Sequence, residues 1–315
     1  MRRVFGIALT ASLLLALAGA IYQGIAARRE SQRCPPPGRL VRLEGTRRSL
    51  HLLCAGEGQP TVIFEHSGLG NSLSSRLARE EVSTYTRTCS YDRMGMGWSD
   101  PGPAVITAGV LADDFERLAQ QAGLPPPFLF VPSSIGGIVA ELFARRHPQS
   151  VAGMVFLDAG NSLMVEAAVE KLTWMRVQSA CLLPMAARLG VLRLFDPLHL
   201  GSGATPYHPE PMATLCGLAR GARQTVLEFR QAPPLSPEIP LTVLVHDSPD
   251  GLFPPSLAAY GRQLDPQWME WQQAFSRRSR EGTWRVVPGS GHLIGNNQPH
   301  AVAAAVIEML ARIRR

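Results

Sequence analysis

Metal-ligand spacing is missing from this sequence. Its 315 residues include five cysteines, none in a C-x-x-C pair and none clustered with histidine, so no structural metal is expected. Also missing is any basic run interleaved with aromatics, which removes the usual footprint of nucleic-acid binding. The net charge is nonetheless +6, with 31 Lys+Arg against 25 Asp+Glu. The excess is arginine near both ends. Arg277-Arg278-Ser279-Arg280 and Arg312, Arg314 and Arg315 read as solvated helix faces, with contact to an anionic membrane surface as the milder alternative. No internal repeat and no long low-complexity tract occurs, which argues against solenoids and extended disordered segments.

One stretch lacks charge altogether. Val4 to Ile21 is apolar, continues weakly to Ala27, and lies between Met1-Arg2-Arg3 and Arg28-Arg29-Glu30. Its length is close to the ~20 residues that cross a bilayer. Residues 1–27 are therefore expected to be a signal anchor or transmembrane helix. The alternative is a cleaved signal peptide, for which Ala16-Leu17-Ala18 and Ala18-Gly19-Ala20 both offer an A-x-A site. Arginines at both borders leave the orientation undetermined by charge. The usual signal-anchor sense would put the rest of the chain outside the cytoplasm, as would export. Residues 28–39, with Pro35-Pro36-Pro37, read as a stiff stalk holding the remainder clear of the lipid.

Beyond that, strand-like and helical patterns alternate. Leu40–Leu43, Ser49–Cys54, Thr61–Glu65, Arg87–Tyr91, Phe128–Val131, Gly153–Asp158, Leu241–His246 and Trp284–Val287 read as strands. Leu111–Ala122, Ile135–Arg146 and Ala301–Ile313 read as helices. This rhythm predicts an α/β fold: a mostly parallel eight-stranded sheet with helices on both faces. Residues 161–235 break the rhythm, dividing the core into 40–160 and 236–315. At this size one large core is expected.

The most informative segment is Leu129-Phe130-Val131-Pro132-Ser133-Ser134-Ile135-Gly136-Gly137. A buried strand stops, a serine sits between small residues, and a helix begins at once. This is the layout of a nucleophile elbow, G-x-S-x-G in its usual form, with Ser134 at the tip. Such a turn pushes the hydroxyl out of the sheet, and the amide of Ile135 at the helix start can face a developing oxyanion. Pro132 stands where the first glycine is usual. Downstream, Pro288-Gly289-Ser290-Gly291-His292 follows the last strand, putting His292 in the third place of a Ser, acid, His order.

The chain resembles the α/β-hydrolase fold superfamily, as a membrane-anchored, bacterial-type serine hydrolase. Tyr91-Asp92-Arg93-Met94-Gly95-Met96-Gly97-Trp98-Ser99-Asp100 is similar to that family's D-R-x-G-x-G-x-S loop. Glu65-His66-Ser67-Gly68-Leu69-Gly70-Asn71 is similar to its oxyanion loop, and Ser290-Gly291-His292 with Pro299 to its tail. The resemblance runs from Pro36 to Arg315 apart from a divergent middle. It implies Ser134 as nucleophile, His292 as general base, and the N–H groups of Leu69 and Ile135 as the oxyanion hole. The family acid ends a G-x-x-D pattern after strand seven, and Asp247-Ser248-Pro249-Asp250 occupies that place. Asp250 is the expected acid and Asp247 the alternative. Asp158 reads mainly as a structural strand end, and Asp92-Arg93 as a loop brace. The middle, 161–235, would be a helical cap in which Trp174, Met175, Met185, Phe195 and Phe229 either line a pocket or form the cap's own core.

Cys54 with Cys89 and Cys181 with Cys216, leaving Cys34, is one possible disulfide pairing. The other reading makes all five small buried hydrophobes. The function expected is cleavage of a carboxylic ester or related acyl compound through an acyl-enzyme, acting on a small-molecule acyl substrate and requiring no cofactor. Serine at the elbow argues against the branches of the fold that use aspartate there. The competing expectation is a non-catalytic binding protein that kept the fold. The sequence does not determine the oligomeric state.

Overall fold

The computed structural model describes residues 2–170, 174–191, 193, 210–250 and 258–315. Eight strands form one sheet in the order β1-β2-β4-β3-β5-β6-β7-β8. They are β1 (Arg39–Arg42), β2 (Ser49–Ala55), β3 (Thr61–Glu65), β4 (Thr88–Tyr91), β5 (Phe128–Pro132), β6 (Val151–Leu157), β7 (Leu241–Val245) and β8 (Thr283–Val286). β1 and β2 pair antiparallel, β2 meets β4 antiparallel, and from β4 through β3 to β8 every pairing is parallel. The central strands β3 and β5 are buried along their whole length, which explains their continuous apolar reading where a half-exposed strand would alternate.

Strand side chains alternate between the two covered faces. Ile63, Phe130, Met154 and Phe156 point to one core. It is closed by α3 (Ala108–Ala122), α4 (Gly136–Arg146) and α8 (Ala258–Ser276). Phe115 sits at its centre with Phe128, Phe130 and Phe143 around it, ring centroids 5.1 to 5.5 Å away. Val62, Phe64, Leu129, Val131, Val155 and Leu157 point to the other, closed by α2 (Arg76–Val82) and α10 (Pro299–Ile313). α3 starts at Thr107, whose hydroxyl accepts from the Val110 N–H, and stops at Gly123 with φ 68°, a left-handed stop that glycine adopts without strain.

Between β6 and β7 lies the cap. Its described helices are α5 (Ser162–Glu170), α6 (Trp174–Arg188) and α7 (Glu210–Gln231). Disulfides join Cys54 to Cys89, across the facing strands β2 and β4, and Cys181 to Cys216, across α6 and α7. Cys34 remains a thiol. Phe229 is buried with Ala108 and Leu142, whereas Met185 is exposed. The side chains of Trp174 and Met175, and Phe195 entirely, lie outside the described residues.

The N-terminal helix α1 (Arg2–Arg33) is long and apolar enough to cross a membrane. The expected stalk is not a spacer. α1 continues through residues 28–33, and the short segment after it lies on the domain. The Cys34 carbonyl accepts from Trp98 Nε1 at 2.8 Å, and Gly38 N–H donates to His51 Nε2 at 3.0 Å. After β8 come α9 (Ile294–Asn297) and α10.

Candidate active site

Ser134 stands two residues past the end of β5 and carries φ 51°. A left-handed non-glycine residue is strained, and such strain persists only where the surroundings hold it. Here they do. Ser133 N–H continues the ladder to β3 past Pro132, donating to the Glu65 carbonyl at 2.8 Å. Gly160 N–H donates to the Ser134 carbonyl at 2.7 Å. Two close approaches require glycine: a Cβ on Gly136 would lie 2.7 Å from the Glu65 carbonyl oxygen, and one on Gly137 would lie 2.2 Å from that of Gly160. Helix α4 can therefore begin tight against the sheet.

His292 reaches Ser134 from the loop between β8 and α9. Its Nε2 lies 3.0 Å from Ser134 Oγ, and its Nδ1 lies 2.5 Å from Asp158 Oδ2. A carboxylate only accepts, so Nδ1 carries the proton, and Nε2 of the neutral ring is the acceptor facing the serine hydroxyl. Ser133 is buried and pairs with Leu157 as an isolated bridge. Of the two adjacent serines it is Ser134 that meets the histidine.

The acid is a correction. Neither Asp250 nor Asp247 touches the imidazole. Both are exposed. Asp250 meets His292 only through its backbone carbonyl, which accepts the His292 N–H at 2.9 Å. Asp247 accepts Gly289 N–H at 2.9 Å. The pair shapes the turn that carries His292. The carboxylate at the ring belongs to Asp158, fully buried at the end of β6, with φ 46°. The left-handed turn there aims the side chain across the neighbouring strand end, and the Asp158 N–H donates to the Leu244 carbonyl at 2.7 Å.

Three more residues complete the cluster, and sequence reading gave them no role. His246, just past β7, has Nδ1 2.7 Å from Asp158 Oδ2 and Nε2 2.7 Å from Asp265 Oδ1. Trp268 Nε1 donates to Asp158 Oδ1 at 2.8 Å, and its ring meets that of His292 edge-on at 5.6 Å. Asp265 and Trp268 stand one turn apart on α8. Because both nitrogens of His246 face carboxylates, both are protonated, and the ring is a cation between Asp158 and Asp265. Burial pushes His246 down, but these two carboxylates overcome it and hold the ring above its ordinary value. Burial likewise pushes the Asp158 carboxyl up, and the bonds from His246 and His292 bring it below the ordinary carboxylate value. Asp158, His246 and His292 offer ligand atoms within 4.8 Å of one another. Their hydrogen bonds already engage the Asp158 carboxylate and both His246 nitrogens, so this donor set fits protons better than a metal.

The Glu65–Asn71 loop lies beside the Ser134 turn, since a Cβ on Gly68 would be 2.9 Å from Ile135 Cδ1. The backbone N–H groups of Leu69 and Ile135 have no hydrogen-bond partner among the described residues. The loop is pinned from below. Arg93 Nη1 donates to Glu65 Oε1 and to the His66 carbonyl, each at 2.5 Å, and Nη2 donates to the Ser67 carbonyl. Asp92 in turn accepts from Ser72 N–H, Trp98 N–H and His51. The Asp92-Arg93 pair thus braces the loop.

A family model described as the α/β hydrolase fold matches residues 60–180. The chain has the α/β-hydrolase fold. An esterase from Thermogutta terrifontis superposes with a TM-score of 0.62 at 22% identity, over 88% of this chain and 99% of that one. A Bacillus megaterium epoxide hydrolase superposes with a TM-score of 0.64 at 16% identity, over 87% and 100%. In sequence, the chain is 33% identical over 116 residues to a pimeloyl-acyl-carrier-protein methyl ester esterase from Shewanella woodyi, covering 37% of this chain and 42% of that relative. It likewise spans less than half the length of the other curated relatives it matches. These likenesses establish fold; chemistry must come from the site.

Proposed function

We propose that this α/β-hydrolase-fold protein is a serine hydrolase that cleaves a carboxylic ester or a related acyl bond. The observation that carries the reading is the continuous hydrogen-bonded line from Ser134 Oγ through His292 to Asp158. Ser134 Oγ attacks the acyl carbon as its proton passes to His292 Nε2. The carbonyl oxygen becomes an oxyanion received by the N–H groups of Ile135 and Leu69. As the tetrahedral intermediate collapses, His292 returns the proton to the departing alcohol, leaving an acyl group on Ser134. Water then gives its proton to His292, attacks the acyl carbon, and releases the acid while the proton returns to Ser134. Asp158 stays ionised throughout, fixing the tautomer of His292 and stabilising the imidazolium.

An apolar cavity of ≈ 250 Å³ bordered by Ile135, Ile138, Leu111, Val165 and Leu218 lies between α3, α4 and the cap helices. Ile135 directly follows the nucleophile, which favours an apolar acyl group. α1 serves as the membrane anchor, with the catalytic domain outside the cytoplasm; two disulfides suit that location. A fluorophosphonate probe tests the chemistry: wild type should be labelled and Ser134→Ala should not. Labelling that survives Ser134→Ala and disappears in Ser133→Ala would move the nucleophile, and no labelling of wild type would favour a binding protein.

A further inference from the structure

The cap helix α6 carries a row of large apolar side chains that stand exposed on the described protein. Leu182 is 64% exposed, Leu183 41% and Met185 62%. The same helix ends against α1. A Cβ on Gly19 would lie 2.3 Å from the Leu189 carbonyl oxygen, and one on Gly190 would lie 3.2 Å from that of Gly19. The two backbones touch there. A turn further on, Arg193 donates to Gln23 Oε1 at 2.6 Å and to both oxygens of Glu30 at 2.6 and 2.9 Å. The seam thus follows one stripe of α1, Gly19, Gln23 and Glu30, at the spacing that keeps residues on one helix face.

This seam fixes the level of the cap relative to the apolar run. Gly19 is nine residues before Arg28, about 13 Å along a helix. With Arg28 and Arg29 at the headgroups, Gly19 lies inside a hydrocarbon layer about 30 Å thick. Leu189 and Gly190 are then carried to the lipid, and Leu182 is no more than about 10 Å away along α6. The Cys181–Cys216 bond ties this stretch of α6 to α7, so the apolar row is held in place as part of the cap.

We propose that Leu182, Leu183 and Met185 form a lipid-docking surface seated in the hydrocarbon of the same bilayer that holds α1. Rows of exposed apolar side chains mark interaction sites, and continuity with the membrane helix identifies the occupant as lipid. The proposal rests on reading α1 as an anchor. It also deepens the functional reading: a cap seated in lipid faces substrates dissolved there, so the favoured substrate is an ester whose acyl chain partitions into the membrane.

The test uses the full-length chain in phosphatidylcholine vesicles with and without acyl-brominated lipid. An environment-sensitive fluorophore is attached through Leu13→Cys, Met185→Cys or Arg277→Cys, each in a Cys34→Ser background; all three positions are exposed. The probes at 13 and 185 should be quenched at least about twofold more than the probe at 277. Quenching at 13 without quenching at 185 would overturn the docking surface and leave the anchor standing. No quenching at 13 would remove the anchor and the docking surface together. A probe at 185 that is shielded from lipid and self-quenches as protein density rises would assign the row to contact between copies instead. In parallel, Leu182→Glu/Met185→Glu should lower hydrolysis of p-nitrophenyl palmitate in vesicles about tenfold and leave p-nitrophenyl acetate unchanged. An equal loss on both esters would overturn the delivery role. A wild-type chain inactive on both would count against the hydrolase reading, and probe depth would still decide the docking surface.

Discussion

Asp158→Asn should nearly abolish turnover, and the geometry shows how. Asp158 Oδ2 accepts from Nδ1 of both His292 and His246, while Oδ1 accepts from Trp268 Nε1. An amide offers one acceptor oxygen and one NH2 group. With its oxygen kept toward the histidines, the NH2 faces the Trp268 N–H, and two donors meet in a buried site. Turned around, the amide satisfies Trp268 and presents its NH2 to the imidazoles. His292 must then accept at Nδ1, so its remaining proton sits on Nε2 and points at Ser134 Oγ. A ring in that tautomer cannot take the serine proton. Loss of the tautomer in a serine triad costs about 10⁴ in kcat, roughly 5 kcal/mol of barrier. Asp250→Asn should change kcat by about twofold or less, because its carboxylate is exposed and its carbonyl, the group that meets His292, is unaltered. The assay is steady-state hydrolysis of a p-nitrophenyl ester, with thermal unfolding to verify that each variant is folded. The reasoning is refuted if Asp250→Asn falls as far as Asp158→Asn, or if Asp158→Asn keeps a tenth of wild-type activity.

His246→Gln should lower kcat about ten- to a hundredfold with little change in KM, since groups that orient a site residue cost about that much when removed; an unchanged kcat would show that Asp158 needs no support from His246. His66 is buried, which holds its ring down to about 3 against an ordinary 6.5. The unfolded chain therefore takes up a proton that the folded chain refuses, and stability should fall as pH drops from 6.5 toward 3. A Tm series in pH should show this slope in wild type and a shallower one in His66→Gln; equal slopes would contradict it. Replacing both Cys181 and Cys216 by serine opens a loop with a sequence separation of 35. That should cost about 3 to 4 kcal/mol, read as an earlier unfolding step on denaturant titration; an unchanged profile would mean that the cap is held by packing alone.

The sheet was legible because its signals are local. Thr61–Glu65 and Leu241–Val245 are short β-branched and apolar runs with turn residues on either side, and both strands fall where they were expected. The turns that hold Ser134 and His292 were legible because their neighbours spell them out: Ser134 between a buried strand and Gly136-Gly137, and His292 after Gly289-Ser290-Gly291. The carboxylate that meets His292 was not, since its position depends on which strand ends adjoin. Asp158 meets His292 only because β6 lies beside β7 and β7 beside β8 in parallel register. A departure in the sequence bore on this: the place after strand seven where a glycine is usual holds Asp247. His246, Asp265 and Trp268 come together across β7 and α8, and no spacing within one segment announces that meeting. The stalk was misjudged because Pro35-Pro36-Pro37 does stiffen the chain, while what holds the segment to the domain, Trp98 and His51, is remote in sequence.

The central claim is that Ser134 is a nucleophile activated by His292 and Asp158. Its most direct test is mass mapping of the covalent adduct formed by a fluorophosphonate with the full-length protein. The account predicts one phosphonylated residue, Ser134, with adduct formation slowed by orders of magnitude in Asp158→Asn and at wild-type rate in Asp250→Asn. An adduct on Ser133, or equal rates in wild type and Asp158→Asn, would contradict it.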